Sequence, residues 1–132
     1  MRNSIIPILS LFVTVTLSLS ACVTDEGEEA AEYGIHWTGQ ESDINGTWSG
    51  TLSGFMKFTI RLDDGEVIES WLSAAGMSFH TYQEDGNIGY YSFDGTKFEA
   101  VLFDDIESLS GRLSDGTLNG KDADGDNFVL SK

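Results

Sequence analysis

From Asp64 to Gly125 the chain is punctuated by Asp-Gly and Asn-Gly pairs: Asp64-Gly65, Asp85-Gly86, Asp94-Gly95, Asp115-Gly116, Asn119-Gly120 and Asp124-Gly125. Such pairs supply the positive φ that two-residue hairpin turns need, so they favour antiparallel strands over helices. Between them apolar residues alternate. Met56, Phe58, Ile60 and Leu62 fall on one face, and Lys57, Thr59 and Arg61 on the other. That is the period of a half-buried strand. Residues 67–72, 78–82, 88–93, 98–103, 109–113 and 128–130 read in the same way, and no window after Ile44 offers a helical period.

The spacing predicts an all-β domain over residues 44–132, an antiparallel up-and-down meander of about eight strands. A meander leaves two unpaired edges unless it closes on itself, so a closed or nearly closed barrel is expected, with a two-sheet β-sandwich as the alternative. An internal echo agrees with closure. Gly50-Thr51-Leu52-Ser53-Gly54 near the start is matched by Gly116-Thr117-Leu118-Asn119-Gly120 near the end. Glycine inside a strand lets a tightly curved sheet bend, so Asn119-Gly120 is compatible with a strand as well as with a turn.

The first 22 residues have a different texture. Met1-Arg2 is a short positive end, Ile5 to Leu19 is mostly apolar, and Leu19-Ser20-Ala21-Cys22 closes the segment with the chain's only cysteine. This is the layout of a secretory signal, and its apolar run is shorter than the ~20 residues a spanning helix needs. The segment resembles the signals of bacterial lipoproteins, which end in Leu, a small residue, Ala or Gly, and then Cys. The resemblance implies cleavage after residue 21, lipidation of Cys22, acylation of its new amino group and a membrane anchor. Val23 is not the aspartate that the family associates with inner-membrane retention. In a Gram-negative cell this implies an outer-membrane location in the envelope.

Cleavage would leave 111 residues (132 − 21) with six basic and 22 acidic side chains, a formal charge of −16. That balance excludes nucleic acid, whose phosphates call for Lys and Arg stripes. With no second cysteine, the domain has to hold itself together by packing. Residues 22–43 carry seven of the acids and no base, and read as the lipidated cysteine followed by an extended, flexible acidic tether. Tyr33-Gly34-Ile35-His36-Trp37 interrupts it with aromatic residues, either as an edge segment packed back on the domain or as a motif for a partner.

Within the domain, Asn45-Gly46-Thr47-Trp48 is similar to the Gly-x-Trp on the first strand of lipocalin- and avidin-like barrels. In lipocalins that tryptophan plugs the closed end. The resemblance implies a barrel with Trp48 in its core. The chain departs from the lipocalin pattern in having no Thr-Asp-Tyr, no arginine partner after the last strand and no terminal helix.

Catalytic motifs are absent from the sequence. There is no Gly-x-Ser-x-Gly elbow, His-Glu-x-x-His, Cys-x-x-Cys or phosphate loop, and only His36 and His80 are available as bases. The expectation is a protein that is not an enzyme and needs no cofactor. Asp122, Asp124 and Asp126 alternate as the start of an EF-hand loop does, but the sixth position is Asn127 and no twelfth exists, so the segment reads as a hairpin turn. Asp104, Asp105 and Glu107 read as a second acidic turn.

Three roles remain. The first is a membrane-anchored, non-catalytic binding or accessory module for an envelope protein. The second is an acidic inhibitor of a cationic hydrolase such as lysozyme, and the third a barrel for a small apolar ligand. Ten bulky residues compete for the interior: Phe55, Phe58, Trp71, Phe79, Tyr82, Tyr90, Phe93, Phe98, Phe103 and Phe128. An eight-stranded barrel is only just wide enough to be filled, so a mostly filled interior is expected. The binding surface would then be a patch of exposed aromatics, with Tyr33, Trp37 and one of Tyr90 and Tyr91 as candidates.

Overall fold

The computed structural model describes residues 25–103 and 107–132. The signal, Cys22, Asp104 and Asp105 lie outside the described residues. The elements are α1 (Asp25–Glu32), a 3-10 turn (Glu41–Ile44), β1 (Gly46–Leu52), β2 (Met56–Asp63), β3 (Glu66–Ala74), β4 (Met77–Tyr82), β5 (Gly89–Phe93), β6 (Lys97–Leu102), β7 (Glu107–Ser114), β8 (Thr117–Asp122) and β9 (Asn127–Ser131). Among the described residues no helix is long and apolar enough to cross a membrane.

Eight strands close an antiparallel barrel in the order β1-β2-β3-β5-β6-β7-β8-β9, and β9 returns to β1. The seam runs from Ser49 opposite Ser131 to Leu52 opposite Phe128. Two glycines of the echo, Gly50 and Gly120, sit inside strands where the neighbouring backbone leaves no room for a side chain. A Cβ on Gly50 would stand 1.8 Å from the Val129 carbonyl oxygen, and one on Gly120 2.1 Å from that of Ser110.

β4 stands outside the ring and pairs with β3 alone. The division of β3 arises at a bulge. Arg61 opposes Glu69 but Leu62 opposes Val67, so Ile68 is the extra residue. Below it Glu66 and Val67 pair with β5; above it Glu69 to Ala74 pair with β4. A bulge bends and twists its strand, which lets one strand serve two neighbours in succession.

One end of the barrel is plugged. Trp48, Ile60, Leu62, Tyr91, Phe93 and Phe98 are buried together there with Ile44 of the 3-10 turn. The Trp48 indole N–H donates to the Ile44 carbonyl at 2.9 Å, and the Tyr91 hydroxyl to the Glu41 carbonyl at 2.7 Å. The Lys132 ammonium stands 5.9 Å over the Trp48 ring. The residue after the last strand therefore supplies a cation to this tryptophan, but as lysine and not arginine.

The N-terminal segment is not the extended tether that its composition suggests. Residues 25–32 form α1, and Ala30 and Ile35 are buried with Tyr90 against the outer wall of β5 and β6, flanked by Val101 and Phe103. Farther on, the Glu41 carboxylate accepts from the amides of Thr38 (2.8 Å), Gly39 (3.0 Å) and Phe93 (3.1 Å), which ties the segment to the end of β5. Burial would raise the Glu41 pKa, but the amides of Thr38, Phe93, Glu41 itself and Gly39 outweigh it and hold the carboxyl below its usual range. Negative charge in the segment is thus offset by amide dipoles and by covered apolar surface.

Candidate functional site

The opposite end of the barrel is open. The β1–β2, β3–β4, β6–β7 and β8–β9 connections surround it, and inside them lies a cavity of about 490 Å³. Its apolar wall is Leu52, Phe58, Leu72, Leu102 and Leu109, with Phe79 from β4. Ser70, Ser78, His80, Thr81, Glu107 and Asp122 complete the lining. β4 therefore extends the wall of the mouth on one side, placing Phe79 opposite Leu72.

The cavity exists because aromatic residues are sorted by face and by end. Phe58, Phe93, Phe98 and Phe128 are interior. Tyr90 and Phe103 pack outside under the N-terminal segment, and Trp71 joins a stack on the outer face of β3 and β4. Phe55, Phe79 and Tyr82 are 74%, 54% and 60% exposed, so none of them fills the barrel. The expectation of a mostly filled interior therefore holds at the plugged end and fails at the mouth.

Two carboxylates line this mouth, Asp122 on the inner face and Glu107 exposed at the rim. On β7, Glu107 is in phase with Leu109 and Leu113, while Ser108, Ser110 and Arg112 alternate outward. On β8, Asp122 is in phase with the buried Leu118 and opposes Leu109. Asp122 is only 9% exposed, and its Oδ1 accepts from the Asp124 amide at 3.0 Å and the Asp126 amide at 2.9 Å. Carboxylate oxygens of Glu107, Asp122 and Asp124 lie within 4.8 Å of one another.

Of the acids singled out in the sequence, the fold brings Asp122 and Asp124 together. In place of Asp126, whose backbone caps the turn, it adds Glu107. Calcium takes 6–8 oxygens. Three carboxylates, one with an oxygen already occupied by two amides, supply only part of that shell. What they do supply is concentrated negative charge beside an apolar cavity. The signal for Glu107 and Asp122 was present in the sequence as acids in phase with inward leucines.

The aromatic candidates are redistributed. Tyr90 and Tyr91 are both buried, at 2% and 0% exposure, where alternation alone predicted one of them exposed. Tyr91 points into the barrel. Tyr90 points outward and is covered, with Trp37 6.5 Å and Tyr33 6.4 Å from its ring. Burial pushes both hydroxyls up to about 12, with Glu29 adding to the effect at Tyr90. Tyr33 and Trp37 keep 39% and 38% exposure while serving as this cover. Exposed aromatic and apolar residues at the mouth are instead Phe55 of the β1–β2 turn and Met77 and Phe79 of β4, while Tyr82 is exposed on the outer face beside His80.

His80 is held on the outer face. Its ring stacks on Trp71 at 4.5 Å and on Tyr82 at 4.6 Å, and its Nε2 lies 2.9 Å from Glu69, which also pairs with Arg61 at 3.0 Å. This arrangement braces the β3–β4 hairpin through cross-strand contacts. Compared with known proteins, the chain matches no family model, no curated protein and no solved structure.

Proposed function

We propose that this protein is a membrane-anchored, non-catalytic binding module of the bacterial envelope, held through lipidated Cys22, whose site is the open mouth of the barrel. The supporting observation is the asymmetry of the interior: one end plugged by Trp48, Tyr91 and the Glu41–Ile44 turn, the other leaving about 490 Å³ beside apolar walls. That volume is in the ~300–1,000 Å³ range of small-molecule sites. Phe55, Met77 and Phe79 around the mouth offer further apolar contact to whatever enters.

The anchor and the site fit one arrangement. With α1 beginning at Asp25, three residues after Cys22, lipidation would place the barrel close to the bilayer, since three residues span at most about 11 Å. A ligand with an apolar body that partitions near a membrane surface would then meet the mouth at high local concentration.

Native mass spectrometry of the protein released from membranes tests the reading, together with a photo-crosslinker at Phe79. A small-molecule adduct, or a crosslinked partner, that is lost in Leu109→Trp would support it. A bare mass and no crosslink in any preparation would refute it. Labelling with a fatty-acid precursor that persists in Cys22→Ser would remove the anchoring half.

A further inference from the structure

We infer that the ligand of the mouth carries a positive charge next to its apolar body, an alkyl or aryl ammonium or a guanidinium in chemical class. The inference rests on the binding role proposed above and specifies what is bound.

The cavity itself carries the argument. Its floor and walls are apolar: Leu52, Phe58, Leu72, Leu102 and Leu109, extended by Phe79. An uncharged apolar ligand would need nothing else, and ionised groups at inward positions oppose burial of such a ligand. Yet Asp122, in phase with Leu118, and Glu107, in phase with Leu109 but exposed at the rim, both line the cavity. Asp122 is 9% exposed, and the exposed Asp124 brings a third carboxylate within 4.8 Å of the other two. The turn amides of Asp124 and Asp126 fix the Asp122 side chain through Oδ1, so its orientation is set before any ligand arrives. A fixed negative group at the side of an apolar cavity favours a cation there and disfavours fatty acids and other anions by like-charge repulsion. The overall charge of −15 for the full chain adds long-range attraction in the same sense.

Size also limits the ligand. About 490 Å³ takes a chain of several methylenes or one or two rings, not a diacyl lipid. The carboxylates offer charge-assisted hydrogen bonds that a primary ammonium or guanidinium can make and a neutral alcohol can only partly replace.

The test is calorimetric titration of the full lipidated protein in phosphatidylcholine nanodiscs, with empty discs subtracted. Octylammonium, octanol and octanoate serve as probes, each below its aggregation concentration. Octylammonium should bind at least ten-fold more tightly than octanol, with octanoate weakest, and the difference should shrink at high salt. In a Glu107→Gln, Asp122→Asn double variant, which keeps side-chain shape and the Asp122 turn cap, octylammonium should fall to the affinity of octanol. Equal affinity of ammonium and alcohol for the unaltered protein would overturn the inference while leaving the binding mouth intact. A calcium response abolished by the double variant, with no preference for the ammonium, would assign the acids to a metal and overturn it too. Failure of all three probes to bind, with Leu109→Trp indistinguishable from the unaltered protein, would remove the underlying role as well.

Discussion

Replacing Glu41 by glutamine should loosen the plugged end of the barrel in a pH-dependent way. The Glu41 carboxylate accepts three backbone amides and shares the Thr38 hydroxyl, at 3.0 Å, with the Phe93 carbonyl. Hydrogen bonds to a charged group contribute about 1.5–3 kcal/mol each and neutral ones about 0.5–1.5 kcal/mol. With its carbonyl oxygen in the Oε2 position, glutamine keeps the two Thr38 bonds and the Phe93 bond in neutral form. It also sets an NH2 group against the Gly39 amide. Because the four bonds share one acceptor group their energies do not add, and the expected loss at pH 7 is about 2–3 kcal/mol. Alanine should cost about 4 kcal/mol, since it leaves buried amides without a partner.

At about 4 °C per kcal/mol for a domain of this size, Glu41→Gln should lower Tm by about 10 °C. The folded-state pKa of Glu41 is depressed below its reference value of 4.5. Its contribution is therefore complete above the unfolded value and is lost as pH falls through the folded one. Guanidinium melts followed by tryptophan fluorescence should show the gap at pH 7 and its narrowing below pH 4.5. A gap under about 0.5 kcal/mol at pH 7, or one that does not narrow in acid, would refute the reasoning, because the carboxylate would then be offset by its own desolvation.

Of the four tyrosines, Tyr90 and Tyr91 should resist ionisation to about pH 12, seen as a delayed part of the absorbance rise near 295 nm. Stability tied to their neutral form is complete below the unfolded value near 10 and is lost as pH rises through 12, so both should titrate together with alkaline unfolding. Gly120→Ala should destabilise the barrel by several kcal/mol, because the new methyl would meet the Ser110 carbonyl at 2.1 Å and the Gly111 Cα at 2.6 Å; a melt within 3 °C of the unaltered protein would show that the β7–β8 pair relaxes. Asp122→Ala should cost about 1–3 kcal/mol by orphaning the amides of Asp124 and Asp126, and Asp122→Asn much less. Energy transfer from a label at Glu32 to headgroup acceptors should report a separation of no more than roughly 22 Å, three extended residues plus one eight-residue helix.

The barrel was legible where local chemistry and fold agree. Asp64-Gly65 and Asp115-Gly116 adopt positive φ at both residues (47° and 93°, 53° and 77°), as their turn chemistry demands, and the alternation of β2 gives its buried face directly. The β3–β4 hairpin was harder to place. Its turn, Ala75-Gly76, takes the same conformation (52° and 81°) without an Asp or Asn to announce it, and Ser53-Gly54 does likewise (57° and 79°). That β4 leaves the ring depends on the bulge at Ile68, a register property of two strands that no single window contains. The N-terminal segment misled for another reason. Its acids suggest mutual repulsion, but Thr38-x-x-Glu41 spaces a hydroxyl and a carboxylate to bond across one turn, and the buried Glu41 charge is held by amides. The packing of Tyr33–Trp37 back on the domain was one of the two readings its aromatics allowed, and Ile35 against Tyr90 bears it out; which wall it covers was not in the sequence, because the contact joins positions about 55–60 residues apart.

The placement of bulk explains how so small a barrel is both stable and hollow. Eight strands enclose room for a packed core or for one small ligand, and this chain divides that room along the axis. Trp48, Tyr91, Phe93 and Phe98 fill the end that the Glu41–Ile44 turn covers. Toward the mouth the same inward positions carry Leu52, Ser70, Leu72 and Thr81, and finally the acids Glu107 and Asp122. Aromatics that would have filled the mouth are turned outward: Trp71 into the His80 stack, Tyr90 and Phe103 under the N-terminal segment. Each diversion has its own compensating contact, so the hollow end forfeits packing without leaving those rings bare. Refilling it should therefore stabilise the protein: Ser70→Val, at a half-buried inward position opposite Ile60, adds apolar contact worth about 1 kcal/mol. The same change should weaken octylammonium binding by narrowing the cavity, which sets stability against occupancy at a single residue. A variant that gains stability and keeps full affinity would place the ligand elsewhere in the mouth, away from β3.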